Sequence, residues 1–284
     1  MHDQDAVHNA RFVDTHVHIR VNNGLEAVIA AGVAAVRDAG TKNAVSLGLG
    51  RLDERQGMPT IRSAGWALYK KGGYGSSFGI PVEGRDEILK EIGRLKTAGA
   101  DIIKVVASGM VSLKTRGAIT PGGFNREDLH VLVQVARSEG LKIMAHANGE
   151  QAIIASAESG VRSIEHGFFM TKKALDVLVR HETYWTPTVG ALARAANAAR
   201  MPDEMVDYIN SLIDSHLEMI QYAHHIGVGL TIGTDCVLPD PRYREAYNAE
   251  LAYFLKAGFT NQNLMKIACD SGARLLEITW SRDK

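Results

Sequence analysis

The sequence predicts an α/β protein of the (β/α)8 TIM-barrel class. Short apolar runs alternate with longer segments of helical periodicity along most of the 284 residues. Strands that alternate with helices are typical of βαβ units, and about eight such units match the size of a closed barrel. A doubly wound sheet is the main alternative, but such sheets usually have a glycine-rich turn after the first strand. This chain has THVHIR at that position, so the barrel is favoured.

The predicted elements follow from this alternation. Strands are predicted at residues 12–17, 34–38, 60–64, 101–106, 142–147, 162–166, 184–189 and 229–233. Helices are predicted at 24–31, 44–56, 85–98, 126–140, 149–160, 172–180, 203–226, 243–257 and 261–276. Glycine follows several of the helical runs, where it suits the left-handed conformation of a helix end. These glycines are Gly32, Gly99, Gly140, Gly160, Gly227 and Gly258.

The predicted barrel spans residues 11–278, between a polar amino-terminal segment (1–10) and a short tail (279–284). Two glycine-rich loops, at 69–79 and 107–123, follow the third and fourth strands. Barrel active sites lie at the carboxyl-terminal ends of the strands, so these loops are interpreted as substrate-binding segments or lids.

Composition and charge limit the function classes. Lys plus Arg and Asp plus Glu each total 32, so the formal net charge is zero. We therefore expect no nucleic-acid partner and no anionic membrane surface as a partner. The amino terminus lacks the apolar core of a signal peptide, and no window has the length of a membrane span. With only two cysteines, Cys236 and Cys269, the chain is predicted to be cytoplasmic.

Six polar residues fall at the carboxyl ends of the predicted strands. They are His16, His18, Lys104, His146, His166 and Asp235. A single histidine at such a position is more often a hydrogen-bonded core residue than a ligand, but the set as a whole indicates a metal site. Burying a lysine and an aspartate within apolar runs costs several kcal/mol unless they are paired or bound to metal.

The residue types suit a divalent metal. Imidazole nitrogens and carboxylate oxygens bind Zn2+, and Mn2+, Fe2+ and Co2+ share these ligands. An ammonium cannot coordinate, so Lys104 first has to lose its proton. A neutral amine can react with carbon dioxide to give a carbamate, which could bridge two metals. This carboxylation is a hypothesis from the position of Lys104.

Five motifs resemble those of the amidohydrolase superfamily, whose fold is a (β/α)8 barrel. They are FVDTHVHIR, DIIKVVASG, IMAHANG, SIEHG and TIGTDC. The stretch GADIIKVVASGMVS is most similar to the binuclear branch that includes Xaa-Pro dipeptidases and imidazolonepropionase-like hydrolases. The resemblance covers residues 11–278, and five motifs in this order are highly specific.

The resemblance implies two divalent metal ions, with Zn2+ preferred, and a role for each of the six residues. His16, His18 and Asp235 would bind the first metal, His146 and His166 the second, and carboxylated Lys104 would bridge them. A hydroxide held between the metals would attack the substrate carbonyl. As the catalytic residue, Asp235 would take the proton and pass it to the leaving nitrogen.

The chain differs from the family pattern in two ways. Most relatives have a β-sandwich domain, which is expected to be absent here; its loss exposes a flank of the barrel and could favour a homo-oligomer. Many relatives also have a histidine in the loop after strand three, where this chain has Tyr74. The predicted substrate-binding residues are Tyr74, Arg116, Tyr184 and Thr188.

The predicted function is cleavage of an amide or peptide-like C–N bond in a small molecule, such as a dipeptide or an N-acyl amino acid. A mononuclear deaminase is an alternative, although deaminase relatives have a glutamate at the position of Gly149, one residue before Glu150. Hydrolysis of a lactone or a phosphotriester is a further variant. A non-catalytic metal-binding barrel is the alternative outside the enzymes.

Overall fold

The computed structural model describes residues 11–49, 58–199 and 201–280. Parallel pairing joins the strands of these ranges into two sheets, ordered β10–β1–β2–β3 and β5–β4–β6–β7–β8–β9. The strands are β1 (Phe12–Ile19), β2 (Val33–Asp38), β3 (Thr60–Ser63), β4 (Ala67–Lys70), β5 (Gly79–Val82), β6 (Ile102–Val106), β7 (Lys142–Ala147), β8 (Ser163–His166), β9 (Tyr184–Thr186) and β10 (Cys236–Leu238).

Helices separate most of the strands, as the alternation predicted. They are α1 (Glu26–Ala30), α2 (Ser46–Leu49), α3 (Gly84–Ala98), α4 (Arg126–Ser138), α5 (Glu150–Ser159), α6 (Lys172–Arg180), α7 (Val189–Ala198), α8 (Asp203–Ile226), α9 (Tyr243–Lys256), α10 (Asn261–Met265), a π-helical turn (Lys266–Ser271) and α11 (Gly272–Leu275). The glycines that follow α3 and α8, Gly99 and Gly227, have φ values of 94° and 88°. Both helices therefore end in the left-handed conformation predicted for them.

Backbone hydrogen bonds join the two sheets at both seams. They run from Trp185 N to Gly229 O, from Thr15 N to Ile232 O and from Asp101 N to Ser63 O, each 2.8 Å long. The segment 229–235 thus lies between β9 and β1, in the place of the eighth barrel strand. The predicted α/β fold of the (β/α)8 class is confirmed.

Three predicted strands differ from those observed. The third is split at Gly65 into β3 and β4, and the loop after it contains the additional strand β5. Residues 229–233 form only one isolated bridge, between Leu230 and Trp185, although they occupy a barrel position. The seventh strand ends at Thr186 because Pro187 has no N–H to donate, and the unpredicted helix α7 starts two residues later.

Some predicted segments lie partly or wholly outside the described residues. These are the polar segment 1–10, part of the helix at 44–56 and most of the tail 279–284. The domain bounds therefore stay predictions. Among the described helices, none has the length and apolar character that crossing a bilayer requires.

The two ends of the barrel have opposite character. At the amino-terminal end, α11 packs on the first two strands through a small apolar cluster of Val13, Ala35, Ala273, Leu275 and Leu276. At the carboxyl-terminal end, buried histidines and charged side chains replace the apolar ones. The end with polar side chains is the one at which barrel enzymes hold their active sites.

Candidate active site

All six predicted ligands line one pocket at the carboxyl-terminal end of the barrel. His16 and His18, the first histidine pair, lie on β1. His146 at β7 and His166 at β8 form the second histidine pair, and Lys104 lies on β6. Asp235 follows the segment that closes the barrel. The structure therefore brings together residues that are as much as 219 positions apart in the sequence (235 − 16).

Both rings of the first histidine pair lie beside the Asp235 carboxylate. Asp235 Oδ1 lies 3.4 Å from His16 Nε2 and 3.2 Å from His18 Nε2. The other nitrogen of each ring is held by the protein, since His16 Nδ1 lies 2.7 Å from Glu165 Oε2 and His18 Nδ1 lies 2.6 Å from Gly40 O. A ring that donates from Nδ1 keeps the Nε2 lone pair for a metal.

The second histidine pair is anchored through different ring atoms. His146 Nε2 lies 3.0 Å from the carbonyl oxygen of Gly109, which leaves Nδ1 as its lone-pair nitrogen. His166 Nδ1 lies 2.7 Å from Thr188 Oγ1, which leaves Nε2. The two ring centroids are 4.6 Å apart. Each of the four histidines therefore has one nitrogen fixed by the chain, as is typical of metal-binding histidines. In the first pair, the second nitrogen of each ring lies beside the Asp235 carboxylate.

Lys104 is a buried group of this pocket that lacks a hydrogen-bond partner. The residue is only 2% exposed to solvent, and its Nζ atom makes no hydrogen bond. Burial lowers the pKa of Lys104 to about 8, so its neutral form is accessible near neutral pH. An amine with no hydrogen-bond partner is therefore buried in the same pocket as both histidine pairs. The donor set fits a divalent metal.

The electrostatics favour neutral imidazoles at His16 and His146 and an ionised aspartate. At His18, burial lowers the pKa, but the hydrogen bond and charge of Asp235 outweigh it and raise the pKa above its usual value. Burial lowers the pKa of His16 to about 4, and burial together with Lys104 lowers that of His146 to about 3. Although burial raises the pKa of Asp235, the neighbouring histidines lower it well below its usual value. Neutral imidazole and ionised carboxylate are the forms that bind metals.

A buried ion pair behind the first histidine pair was not predicted. Glu165 is fully buried on β8 and accepts hydrogen bonds from Arg37 Nη2, at 2.8 Å, and from His16 Nδ1. Arg37 is itself fully buried and also donates from Nε to Thr15 O at 2.6 Å. The signal in the sequence is an acidic residue within a buried strand, directly before His166 in SIEHG.

Asp14 was also missed, although it lies in the first motif. Its Oδ1 accepts the N–H groups of His16 and Thr234, both at 3.0 Å, and its Oδ2 accepts the hydroxyls of Thr234 at 2.7 Å and Tyr243 at 2.9 Å. Asp14 therefore ties the first strand to the residue before Asp235. Burial raises its pKa to about 6.

Three residues of the site have left-handed backbone conformations. The φ angles are 67° at His166, 49° at Thr188 and 54° at Asp235. Positive φ is uncommon for residues with a side chain and costs of order 1–3 kcal/mol in sparsely populated regions. Such residues cluster at functional sites, where the surrounding structure maintains them.

The pocket at the barrel mouth has two connected parts, which we call the polar lobe and the apolar lobe. The polar lobe has a volume of about 220 Å3 and the apolar lobe one of about 130 Å3. Four residues line both lobes: Tyr74, His146, His166 and Asp235. The predicted metal site therefore lies where the lobes meet.

Of the predicted substrate-binding residues, Tyr74 lies at this junction. Its ring centroid is 5.3 Å from that of His146 and 5.5 Å from that of Phe78. Thr188 is fully buried and bonds to His166 Nδ1, so its hydroxyl is committed to that ring.

Two other predictions of substrate contact do not fit the structure. Arg116 lines neither lobe; its Nη2 donates to Glu204 O at 2.6 Å, and its guanidinium lies 5.7 Å from the centroid of the Tyr208 ring. Tyr184 starts β9 and thus lies at the amino-terminal end of the barrel, where the guanidinium of Arg162 lies 4.7 Å from its ring centroid. Its side chain packs against the apolar cluster at that end and lines neither lobe of the pocket.

Comparison with known proteins agrees with this geometry. The model of the amidohydrolase family matches residues 10–280. The chain belongs to the amidohydrolase family. Members of this family generally use divalent metals, and His16, His166 and Asp235 offer ligand atoms that lie within 4.8 Å of one another.

Individual relatives are distant. Ochratoxinase of Aspergillus niger is 26% identical over 204 residues, which are 62% of this chain and 42% of that protein. The chain thus spans less than half the length of this curated relative. An uncharacterised protein of Mycobacterium tuberculosis is 23% identical over 278 residues, or 93% of this chain and 73% of that one.

Solved structures share the fold. A Xaa-Pro dipeptidase with methionine bound in its active site has a TM-score of 0.77 and 23% identity, over 95% of this chain and 75% of that one. The A. niger ochratoxinase structure has a TM-score of 0.76 and 21% identity, over 94% and 71% of the two chains.

Proposed function

We propose that this protein is a binuclear metal-dependent hydrolase that cleaves an amide or peptide-like C–N bond in a dipeptide or an N-acyl amino acid. One observation carries the proposal: Lys104 Nζ is buried without a partner in the same pocket as four histidines, and a hydrogen bond at one ring nitrogen fixes the orientation of each of these histidines. Two relatives named for amide chemistry, a Xaa-Pro dipeptidase and a prolidase with bound N-methylphosphonate-L-proline, share the fold and support this substrate class.

The bridging ligand would form on Lys104 itself. The lone pair of neutral Nζ attacks the carbon of CO2, so that an N–C bond forms while one C=O π bond breaks and leaves its electron pair on oxygen. The nitrogen then loses a proton to water, which gives a carbamate anion. The pKa of about 8 makes the neutral amine available for this step. The carbamate would give the second histidine pair the anionic ligand that it otherwise lacks.

Two divalent metals, preferably Zn2+, would polarise the scissile carbonyl and lower the pKa of an attacking water. His16, His18 and Asp235 would hold one of them, His146 and His166 the other, with Lys104 shared. Asp235 accepts the proton released in the attack at a carboxylate oxygen and delivers it to the leaving nitrogen, as a general base and then a general acid. Because the histidines keep its pKa low, it is ionised when the reaction begins.

A deaminase is disfavoured by the position of Glu150. Its carboxylate accepts a hydrogen bond from Thr171 Oγ1 at 2.7 Å and lies 3.1 Å from Lys173 Nζ, at the start of α5. It lines neither lobe of the pocket. Among the described residues that line the two lobes, Asp235 is the one carboxylate, so Glu150 is not placed to protonate a ring nitrogen of a substrate bound there.

The test is turnover by the metal-loaded protein. The purified chain is incubated with Zn2+ and bicarbonate, its metal content is measured, and N-acyl amino acids, dipeptides, lactones and a phosphotriester are offered as substrates. We expect two metals per chain and release of amine from members of the amide panel. Two bound metals without hydrolysis of any amide would contradict the proposal and favour a non-catalytic metal-binding barrel.

A further inference from the structure

The peptide unit between Thr234 and Asp235 is hydrogen-bonded at both of its polar ends. The Asp235 N–H donates to His16 O at 2.7 Å, and the Thr234 carbonyl oxygen accepts a hydrogen bond from Arg194 Nη2 at 2.5 Å. Because a peptide unit is planar, a bond at each end fixes its rotation about the chain. This rotation sets the φ angle of Asp235, which is 54°. The left-handed conformation of Asp235 therefore depends on both bonds.

The conformation of Asp235 decides where its carboxylate points. At the observed φ angle, Asp235 Oδ1 lies 3.4 Å from His16 Nε2 and 3.2 Å from His18 Nε2. If the peptide unit turned over, φ would become negative, which residues with a side chain ordinarily prefer. The Cα–Cβ bond would then point in a new direction, so the carboxylate would leave the first histidine pair.

Arg194 holds the peptide unit from outside the strands. It lies on α7, and among the described residues its guanidinium forms no ion pair. Its Nη1 atom is buried without a hydrogen-bond partner, whereas Nη2 is bonded to Thr234 O. A hydrogen bond from a charged donor is about twice as strong as one between neutral groups. The charge of Arg194 is therefore directed at this one carbonyl oxygen.

The packing of α7 against α9 sets the position of the guanidinium. A side chain at Gly190 would place its Cβ atom 3.0 Å from Arg194 Nη1 and 3.5 Å from Glu250 Oε1, so the glycine leaves room for both groups. Glu250, which is buried on α9, accepts the Gly190 N–H at 2.8 Å and so fixes the start of α7. Arg194 is thus positioned by two packed helices.

We infer that Arg194 is a positioning residue, which holds the Thr234–Asp235 peptide unit so that the Asp235 carboxylate faces the first metal. The inference rests on the proposed function, in which Asp235 is a metal ligand and carries the proton. Arg194 lines neither lobe of the pocket, so it acts through the backbone. Helix α7 then supports both halves of the centre, because Thr188, directly before it, bonds to His166 Nδ1.

Crystals of the metal-free protein give a readout that needs no activity. The variant is Arg194→Met, which keeps an extended side chain but removes every donor. In wild type the Thr234 carbonyl should point at Arg194, and φ of Asp235 should be positive. In the variant we expect the peptide unit to turn over and the carboxylate to move away from the first histidine pair. An unchanged peptide orientation in Arg194→Met would overturn the inference.

Metal affinity distinguishes positioning of Asp235 from general support of the fold. Arg194→Met should weaken binding of the first metal by about 10- to 100-fold, the range for loss of a group behind a metal ligand, and should leave the second metal unchanged. Competition with a chelator measures both affinities. Arg194→Lys keeps a charged donor, so its affinity for the first metal should lie between those of wild type and Arg194→Met.

Arg242→Met is the matched control for this measurement. Arg242 lines the same cavity between α7 and α9 as Arg194, but it is exposed and lies directly before α9. Its replacement should leave both metal affinities at the wild-type value. Equal weakening of both metals in Arg194→Met, or the same loss in Arg242→Met, would show general damage to this region and would overturn the inference.

The cavity between α7 and α9 allows chemical rescue. It has a volume of about 270 Å3, and Arg194 is part of its lining, so Arg194→Ala would leave space for a free guanidinium ion. Guanidinium at millimolar concentration, far below denaturing concentrations, should raise kcat/KM of metal-loaded Arg194→Ala severalfold and leave wild type unchanged. Tetramethylammonium has the charge but no N–H group, and it should have no effect. Absence of rescue, or equal rescue by both ions, would contradict the hydrogen bond to Thr234 O.

These measurements separate the role of Arg194 from the proposed function. If wild type binds two metals and hydrolyses amides, and Arg194→Met does so equally well, the inference is wrong and the proposed function stands. If wild type hydrolyses no amide, the proposed function fails. The orientation of the Thr234–Asp235 peptide unit in the metal-free crystals then still decides whether Arg194 holds Asp235 in place.

Discussion

The two histidine pairs of the site differ in how their charge is balanced. The first pair has the Asp235 carboxylate within 3.4 Å of both Nε2 atoms. The second pair has no carboxylate so close, since Asp235 Oδ2 lies 4.0 Å from His166 Nδ1, and its other neighbour is the unpartnered Lys104 amine. In the proposed centre the chain would supply the anion for one half, whereas the other half would depend on carboxylation of Lys104.

Replacing Asp235 tests the half of the proposed metal centre that already has a carboxylate. Asp235→Asn removes the proton carrier and the anionic ligand together, so we expect kcat/KM to fall by about 100- to 10,000-fold, the range of general acid–base catalysis. Steady-state kinetics and metal analysis measure the two losses. Asp176→Asn, on the exposed face of α6, is the control. Full activity in Asp235→Asn would exclude the proposed proton transfer.

Replacing Lys104 tests the half that depends on carboxylation. Lys104→Met removes the bridging ligand, so we expect one metal per chain in place of two and a loss of activity of at least about 100-fold. The folded protein should gain stability because the buried unpartnered amine is gone, which a higher Tm would report. Retention of two metals in Lys104→Met would contradict the role of this lysine.

Glu165→Gln tests the support behind the first histidine pair. The change weakens the hydrogen bond that orients His16, and loss of a group behind a metal ligand typically lowers metal affinity by about 10- to 100-fold. Because Arg37 would lose its ion-pair partner, the free energy of unfolding should also fall by about 3–5 kcal/mol. Competition with a chelator and denaturant titration measure the two effects. Unchanged metal affinity would mean that Glu165 serves folding alone.

Thr188→Val makes the corresponding change behind the second histidine pair. The isosteric replacement removes the hydroxyl that bonds His166 Nδ1, and we expect about 10-fold weaker binding of the second metal. The first metal should bind as before, which distinguishes this variant from Glu165→Gln. Thr188→Ser keeps the hydroxyl and is the control. Equal loss of both metals would show that the two halves are not separable.

The sequence predicted that six polar residues lie together at one end of the barrel, as they do in the structure, but it did not predict the contacts that hold them. Their role as metal ligands stays a prediction. His16, His18, Lys104, His146, His166 and Asp235 could be found because each interrupts an apolar strand, and strand order places them at one end of a barrel. Glu165 and Arg37 could not be paired from the sequence, since their contact depends on the packing of β2 against β8 across the barrel interior. Neither residue has a spacing that marks it as part of a metal site.

Strand β5 and helix α7 were not predicted, and in each case the local sequence explains why. Strand β5 lies directly after a glycine-rich loop and contains Pro81, so its propensity gives little sign of a strand. Tyr184, Trp185 and Val189 have high strand propensity, which favours the strand prediction although α7 starts at Val189. Substrate contacts were predicted least well, because Arg116 and Tyr184 were assigned from their place in the chain, whereas side-chain direction decides which residues face the pocket.

Crystals of the zinc-loaded protein grown with bicarbonate would test the central claim most directly. Anomalous scattering should give two peaks at the carboxyl-terminal end of the barrel, one beside His16, His18 and Asp235 and one beside the second histidine pair. Electron density should extend beyond Lys104 Nζ toward both peaks. A single peak with an unmodified Lys104, or metal bound away from these six residues, would contradict the binuclear assignment.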